Sequence, residues 1–305
     1  MKQFNPLDYR IFEAVTGSQL YGTSTIDSDE DLRGVCLPEM RVLIDPFMSF
    51  NVKDGFDGQD RAIYDLGKFM DLCSQMNPNI VEMLFIPEGK VVFKNEKWDK
   101  IIENKNLFLS KKAKYTFTGY SISQLNAIKR HREWFQNPTN HKPTREEFGL
   151  TQSPLVSEAN IQNMMGVPNN LFKEEYYEEL QREREYRQQK KRWDNYNQWQ
   201  TNRNPKRKGT EEKFGYDTKY ASHLFRLMAE GKELLLTGNI TFPLPNAEWI
   251  LQIKQGFYSY EQILVMADNM EKEFEMWYTQ SPLPNAPDRN KLKELYFSIV
   301  LGDKQ

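Results

Sequence analysis

The residues best suited to chemistry lie near the N-terminus, in the stretch TGSQLYGTSTIDSDEDLRGV. A Gly17-Ser18 pair precedes Asp29 and Asp31, with Asp29 eleven positions after Ser18. In an extended backbone, Asp29 and Asp31 point to one side while Glu30 points to the other. Two carboxylates on one side suit a hard divalent cation such as Mg²⁺, and a glycine lets the backbone approach a phosphate closely. The combined pattern predicts a phosphate-binding turn that faces a metal site.

A second set of candidate residues lies far along the chain, in YDTKYASHLFRLM. Lys219, His223 and Arg226 recur at helical spacing, so they would share one face of a helix. A row of cationic groups could hold a triphosphate or an RNA phosphate. The alternatives are a salt-bridged surface face, or a histidine satisfied in the core. Arg33 is either a partner for an acid beside the metal site or an ordinary strand-edge arginine.

The elements that must position these residues are mixed in the first half of the chain. Alternating and apolar patterns predict strands over residues 9–15, 31–37 and 41–52, the last interrupted by Pro46. Glycine and aspartate density predicts a turn over residues 53–60, and apolar spacing predicts a helix over residues 62–76.

The second half is predicted to be mostly helical. Helices are expected over residues 120–135, 158–200, 216–230 and 260–278, with Gly231 closing the third. The fold class is therefore α+β. We expect a catalytic domain over residues 1–110 and a helical domain over residues 111–305.

A basic segment at residues 182–208 carries ten lysines and arginines against three acids. Tyr186, Trp193, Tyr196 and Trp199 are interleaved with these charges. Basic side chains neutralise phosphates and exposed aromatic rings stack on bases, so the segment fits a nucleic-acid surface. The alternative is a solvated helix whose aromatic rings pack against neighbouring structure.

Composition limits the remaining classes of function. The 305 residues carry a net charge of −2 and 13% aromatic side chains, enough for a sizeable core. Cys36 and Cys73 are isolated, which argues against a disulfide scaffold. A zinc site is not expected, because His131, His141 and His223 also lack paired ligand spacing. No signal peptide and no membrane span are recognisable, so a cytoplasmic location is expected.

The Gly-Ser turn and the following Asp-x-Asp resemble the signature of the DNA polymerase β superfamily of nucleotidyltransferases. Four further blocks resemble, in order, the RNA-repair-associated (RlaP-like) group of bacteria and large phages. They are DRAIYDLGKFMDLCSQMNPNIVEMLF (60–85), AKYTFTGYSISQLNAIKRHR (113–132), KPTREEFGL (142–150) and GYDTKYASHLFRLMAEGKELLLTG (215–238). The resemblance implies a polymerase-β-type mixed sheet flanked by helices, followed by a mostly helical region.

The resemblance also implies a reaction and a set of site residues. A nucleoside monophosphate would pass from an NTP to a hydroxyl, with release of pyrophosphate and with two Mg²⁺ ions, or Mn²⁺, as cofactors. The family needs a third carboxylate on a neighbouring strand, for which Asp60 is preferred to Asp65. The implied catalytic and metal-binding set is Asp29, Asp31 and Asp60, and the implied nucleotide-binding set is Gly17, Ser18, Ser28, Lys219, His223 and Arg226.

RNA is the expected acceptor, in the host cytoplasm if the chain is phage-encoded. Transfer to a protein or a small molecule, and a non-catalytic nucleotide- or RNA-binding role, are the alternatives. The sequence leaves the oligomeric state open.

Overall fold

A computed structural model describes residues 4–26, 28–45, 50–55, 57–139, 141–152, 174–203 and 205–302, with only the backbone at 174–176, 206 and 207. The chain forms two compact units. Residues 1–128 and 218–305 make up the first, and residues 129–217 make up the second. The predicted division into functional domains at residue 110 stays a prediction.

The first unit is built on a five-stranded mixed sheet with the order β3-β4-β2-β1-β5. The pair β2 and β4 is parallel, and every other neighbouring pair is antiparallel. Helices flank this sheet, and the C-terminal part of the chain is mostly helical, so the predicted fold class is confirmed. The strands are β1 (Arg10–Thr16), β2 (Asp31–Cys36), β3 (Val52–Asp54), β4 (Asp60–Asp65) and β5 (Val91–Lys94).

Short helices connect the strands, and a long helix follows the sheet. They are α1 (Gly17–Tyr21), α2 (Met40–Leu43), α3 (Leu66–Ser74), α4 (Pro78–Val81), α5 (Glu96–Glu103) and α6 (Ala113–Gln136). Single 3₁₀ turns occur at Pro6–Tyr9, Glu82–Phe85, Glu88–Lys90 and Lys105–Leu107. The unit boundary at residue 128 falls within α6, so this helix contributes to both units.

The remaining helices belong to the second unit and to the C-terminal part of the first. The second unit contains α7 (Glu174–Asn202), α8 (Pro205–Phe214) and the 3₁₀ turn Glu146–Phe148. The first unit resumes with α9 (Thr218–Thr237), α10 (Ala247–Lys254), α11 (Tyr260–Gln280) and α12 (Arg289–Leu301). No helix in the described ranges is both long enough and apolar enough to cross a membrane.

Two predicted elements of the first half are wrong in type. Residues 41–43 form part of helix α2 rather than a strand, and residues 46–49 lie outside the described residues. Residues 62–65 belong to strand β4, and the predicted helix begins only at Leu66. Asp65 sets that boundary, because its side chain accepts a hydrogen bond from the Lys68 amide as the N-cap of α3.

The predicted helix end at Gly231 is also wrong, since α9 continues to Thr237. A Cβ atom at Gly231 would lie 2.9 Å from Cβ of Phe117 on α6. The glycine therefore permits close packing of two helices and does not end one. The predicted long helix at residues 158–200 begins at Glu174, and residues 158–173 lie outside the described part of the chain.

The second unit has a different kind of interior. Tyr196 and Trp199 of the basic segment pack against Trp134, with ring centroids 6.2 and 5.5 Å from it. Glu183 is buried and forms ion pairs with Arg145 at 2.6 Å and Arg187 at 2.9 Å. Aromatic packing and ion pairs thus hold this unit together, and these two aromatic rings of the segment point into it.

Candidate active site

Two predicted carboxylates meet where β2 and β4 begin. Asp31 and Asp60 are the first residues of their strands and are paired directly in the parallel register. Paired residues on neighbouring strands present their side chains on the same face of a sheet. Burial raises the pKa of Asp31, and a hydrogen bond to the Asp60 carboxyl and the charge of Asp60 raise it further. The structure therefore brings these two groups into contact.

The Gly-Ser turn lies directly against Asp31. Gly17 begins α1 with a φ of +63°, and a Cβ atom there would stand 1.8 Å from Oδ2 of Asp31. Only glycine fits this position, because any side chain would overlap the carboxylate. Thr16 pairs with Asp31 in the antiparallel register, and its hydroxyl donates to the Asp31 carbonyl at 3.2 Å. Strand pairing thus fixes the turn over the carboxylate.

The carboxylate pair fits a hard divalent cation. Two acidic groups this close favour a shared proton at the expense of full ionisation, and a divalent cation relieves the same repulsion. Asp31 and Asp60 are the residues that would hold it. Arg33 lies two residues along β2, and its Nη1 is 3.8 Å from Oδ1 of Asp60, so it is a partner for an acid of the site.

The other acidic candidates are placed differently. Asp29 is exposed in the loop before β2, outside the strand register that pairs Asp31 with Asp60, and its predicted part in the site stays a prediction. Asp65 pairs with Cys36 at the opposite end of the same two strands and caps α3. Asp60, rather than Asp65, is therefore the carboxylate beside Asp31. The Oγ atom of Ser28 accepts a hydrogen bond from the Thr25 amide at 2.8 Å, within the loop itself.

Two lysines contribute positive charge near this pair. Lys219, exposed in the first turn of α9, lowers the pKa of Asp31 through its charge. Lys254, the last residue of α10, donates from Nζ to the Thr23 carbonyl at 3.1 Å, just beyond α1. Burial, and then the charge of Lys219, lowers the pKa of Lys254. The sequence analysis missed Lys254, because no spacing connects it with the N-terminal motif.

His223 and Arg226 continue the same helix face into the interior. Burial, with the charges of Arg226 and Lys219, lowers the pKa of His223 to about 3, so its imidazole is neutral at physiological pH. The Nη1 atom of Arg226 donates to Glu82 at 3.0 Å and to Glu230 at 2.8 Å. This guanidinium is fully buried, and its predicted contact with a nucleotide stays a prediction.

Arg226, Glu82 and Glu230 form an ion network, the Arg226 network, which also reaches the turn that carries Gly17. Tyr21, at the end of α1, donates its hydroxyl to Glu82 at 3.0 Å and lies with its ring 4.3 Å from the Arg226 guanidinium carbon. Burial is the main cause that raises the pKa of Glu82 to about 8. The network therefore ties α9 to α1, the two elements that carry Lys219 and Gly17.

Comparison with known proteins confirms the predicted resemblance. Residues 9–142 match the family described as "RNA repair pathway DNA polymerase beta family" (RlaP). This range contains the turn, β2 and β4, so the candidate site lies within the region that is similar to this polymerase β family of an RNA repair pathway.

The chain is also similar to an uncharacterised 38.9 kDa protein encoded in the nrdC–mobD intergenic region of Enterobacteria phage T4. The two are 23% identical over 89% of this chain and 90% of the phage protein. No solved structure matches the chain.

Proposed function

We propose that this protein transfers a nucleoside monophosphate from an NTP to a hydroxyl group of RNA and releases pyrophosphate. The observation that carries the proposal is the contact between Asp31 and Asp60 directly beneath the Gly17 turn. A phosphate-binding turn and a cation-binding carboxylate pair are the two parts that this reaction requires at one place.

In this proposal each group of the site has a defined task. Asp31 and Asp60 would hold divalent cations, with Mg²⁺ as the expected ion, and Asp29, in the loop before β2, is the predicted third carboxylate ligand. The Gly17 turn and Ser18 bind the β- and γ-phosphates, while Lys219 and Lys254 offset their charge. When bound, the cations would neutralise charge on the attacking and leaving oxygens.

The reaction is a single displacement at phosphorus. The acceptor hydroxyl oxygen forms a bond to the α-phosphorus, and the bond from that phosphorus to the bridging α–β oxygen breaks. Pyrophosphate leaves with the electron pair of the broken bond. The proton of the acceptor hydroxyl passes to the Asp60 carboxylate and from there to solvent, because the exposed side chain of Asp60 can exchange it with water.

Charge distribution favours RNA as the acceptor. Residues 129–217 carry 17 basic and 14 acidic side chains, a net charge of +3. The rest of the chain, with 24 basic and 29 acidic side chains, carries −5. Lys191 and Arg192 on α7 are exposed, although Arg192 pairs with Glu133 at 2.6 Å. Exposed lysines on a basic unit suit a polyphosphate partner.

The test measures incorporation from each α-labelled NTP into total RNA, protein or small molecules, with and without Mg²⁺. Asp31→Asn and Asp60→Asn should each lower the rate at least about 100-fold, because each removes a charge that acts on the displacement. Asp65→Asn is the matched control: it lies on the same strand as Asp60, and asparagine caps helices as well as aspartate does.

Three results would contradict the proposal. Full activity of Asp31→Asn would exclude the carboxylate pair as the metal site. Equal losses in Asp60→Asn and Asp65→Asn would indicate a folding effect. Label found in protein or in a small molecule, with none in RNA, would reassign the acceptor.

A further inference from the structure

A second group of metal-binding side chains is buried in the second unit, among residues 129–217. His131 on α6, Glu211 on α8 and Asp217 between α8 and α9 are 9%, 4% and 2% exposed. One potential ligand atom from each lies within 4.8 Å of the other two. Sequence spacing did not indicate this group, because its members come from three separate segments.

Neighbouring side chains hold two of these groups in place. Oε2 of Glu211 accepts a hydrogen bond from the guanidinium of Arg203, while Oε1 lies 3.8 Å from Nδ1 of His131. The imidazole of His131 stacks on Trp134, with ring centroids 5.6 Å apart and planes at 19°, and lies 5.5 Å from the ring of Trp199. Ion pairing and ring packing thus orient the carboxylate and the imidazole toward each other, as the outer shell of a metal site does.

We propose that His131, Glu211 and Asp217 bind a divalent transition-metal ion of the zinc type. One imidazole nitrogen and two carboxylate oxygens are a ligand set that zinc accepts, with a water molecule in the fourth position. Tetrahedral zinc with ligands at ordinary distances separates them by about 3.4 Å. The separation of 3.8 Å between His131 and Glu211 therefore needs an adjustment of less than half an ångström.

The two buried carboxylates, Glu211 and Asp217, favour a bound cation at this place. Two carboxylates are removed from water here, and burial of charge is costly unless the charges are paired or coordinate a metal. Arg203 supplies one positive charge, beside Glu211. A divalent ion between the three groups would place positive charge beside both carboxylates and would connect α6 with the chain on either side of Gly215.

The site should behave as a structural centre. Binding energy at a buried structural site contributes to folding free energy. Chelation should therefore loosen the second unit. This proposal does not depend on the reaction proposed for the first unit, since no residue is shared between the two sites.

The first experiment uses the wild-type full chain, purified without chelator. Elemental analysis should find about one zinc ion per chain, and dialysis against EDTA should lower the melting temperature by several degrees. Co²⁺ added to the EDTA-treated chain should give a visible absorption band typical of tetrahedral coordination. The double variant Asp31→Asn, Asp60→Asn should retain the zinc, which separates this site from the candidate active site.

Single substitutions then locate the ion. His131→Gln and Glu211→Gln should each lower zinc affinity at least about 100-fold, and Arg203→Lys about 10-fold. His141→Gln is the matched control, because that histidine is exposed in the same unit and pairs with Glu147.

Two outcomes would overturn the proposal. The first is a wild-type chain that holds no zinc as purified and takes up neither Zn²⁺ nor Co²⁺. It would show that the three groups form a polar network that needs no metal ion. The second is equal zinc retention in His131→Gln and His141→Gln, which would place the ion elsewhere.

Discussion

The two units bury charge in different surroundings. In the first unit, Arg226, Glu82 and Glu230 lie within a large apolar core. Phe12 stacks on Trp98 in this core, with ring centroids 3.8 Å apart. In the second unit, the described buried residues divide evenly between apolar or aromatic types and polar or charged types. The first group is Trp134, Leu150, Tyr196 and Tyr216, and the second is His131, Glu183, Glu211 and Asp217.

This difference bears on how each unit balances its charges. The Arg226 network combines one guanidinium with two carboxyl groups, and the pKa of Glu82 is raised to about 8, mainly by burial. A proton on Glu82 therefore leaves one positive and one negative charge, and the network neutralises itself. The group of His131, Glu211 and Asp217 also combines two carboxylates with a guanidinium, that of Arg203, but it offers an imidazole where the first network offers Tyr21. An imidazole is a metal ligand, whereas the Tyr21 hydroxyl is committed to Glu82.

The largest effect should come from breaking the first network. Arg226→Met should lower the free energy of unfolding by about 3–5 kcal/mol, because it leaves Glu82 and Glu230 buried without their cation. Chemical denaturation followed by circular dichroism measures this loss. Lys272→Met is the matched control, since it removes an exposed ion pair with Asp268 and should cost less than about 1 kcal/mol.

A loss below about 1 kcal/mol for Arg226→Met would mean that the apolar core alone holds α9 in place. In that case the network could not be the element that positions Lys219. If Arg226→Met folds, its KM for NTP should rise more than its kcat falls, because Lys219 is placed through α9.

The pH dependence of stability tests the same network with a smaller effect. The folded pKa of Glu82, about 8, exceeds the ordinary glutamate value of 4.5, so its contribution is complete below pH 4.5 and is lost as the pH rises through 8. Stability should fall by about 2 kcal/mol between pH 6.5 and 9. His223 does not interfere in this window, because its lowered pKa, about 3, costs stability only below about pH 6.5.

Glu82→Gln should flatten this decline, since glutamine keeps an acceptor for Tyr21 and Arg226 and carries no proton to lose. Glu88→Gln, at an exposed ion pair with Lys94, should leave the decline unchanged. Equal slopes in wild type and Glu82→Gln would show that the acid is ionised throughout.

The sequence was sufficient for the parts of the site that depend on local pattern. The Gly-Ser turn and the Asp31 strand follow from the local pattern, whereas the family resemblance suggested Asp60 over Asp65, and Asp60 does pair with Asp31. Asp65 carries the ordinary signature of a helix N-cap. The position of Asp29 relative to Asp31 could not be predicted. Side chains two residues apart point to the same side only within a strand, and β2 begins only at Asp31. Asp29 precedes regular structure, so its direction depends on the loop.

Other features depend on contacts between distant segments and leave no periodic signal. Lys254 reaches the candidate site only because α10 ends beside Thr23. Gly231 was interpreted as a helix end. A glycine is instead needed there because a Cβ atom would come too close to the side chain of Phe117 on α6. Residues 62–65 were assigned to a helix because a short apolar run fits either a strand or a helix by pattern alone.

In the second unit, we expect ion pairs to supply part of the folding free energy that burial of apolar side chains supplies in the first unit. Glu183→Gln should cost about 1–2 kcal/mol, because it weakens charged hydrogen bonds to Arg145 and Arg187 while leaving the shape unchanged. Glu133→Gln, at the exposed pair with Arg192, is the control and should change stability by less than about 0.5 kcal/mol. Urea denaturation in low and high salt measures both, and an equal response of the two variants would indicate that burial of Glu183 has no energetic consequence.

The smallest effect on stability should come from surface charges of α7, where Lys191 is exposed and Lys190 is half-buried. Lys190→Glu with Lys191→Glu should change the free energy of unfolding by less than about 0.5 kcal/mol, because neither lysine lies in the buried part of the unit.

The same double variant should bind single-stranded RNA more weakly. The slope of the logarithm of its binding constant against the logarithm of the salt concentration should fall by about 1.4, the value expected for two lost phosphate contacts. Lys293→Glu on α12 is the control, because Lys293 is exposed, as Lys191 is, and lies on the acidic first unit. A salt slope that stays the same in the α7 variant would mean that the positive charge of the second unit serves its own ion pairs and does not contact RNA. A slope that falls equally in the Lys293 variant would place part of the RNA contact on the first unit.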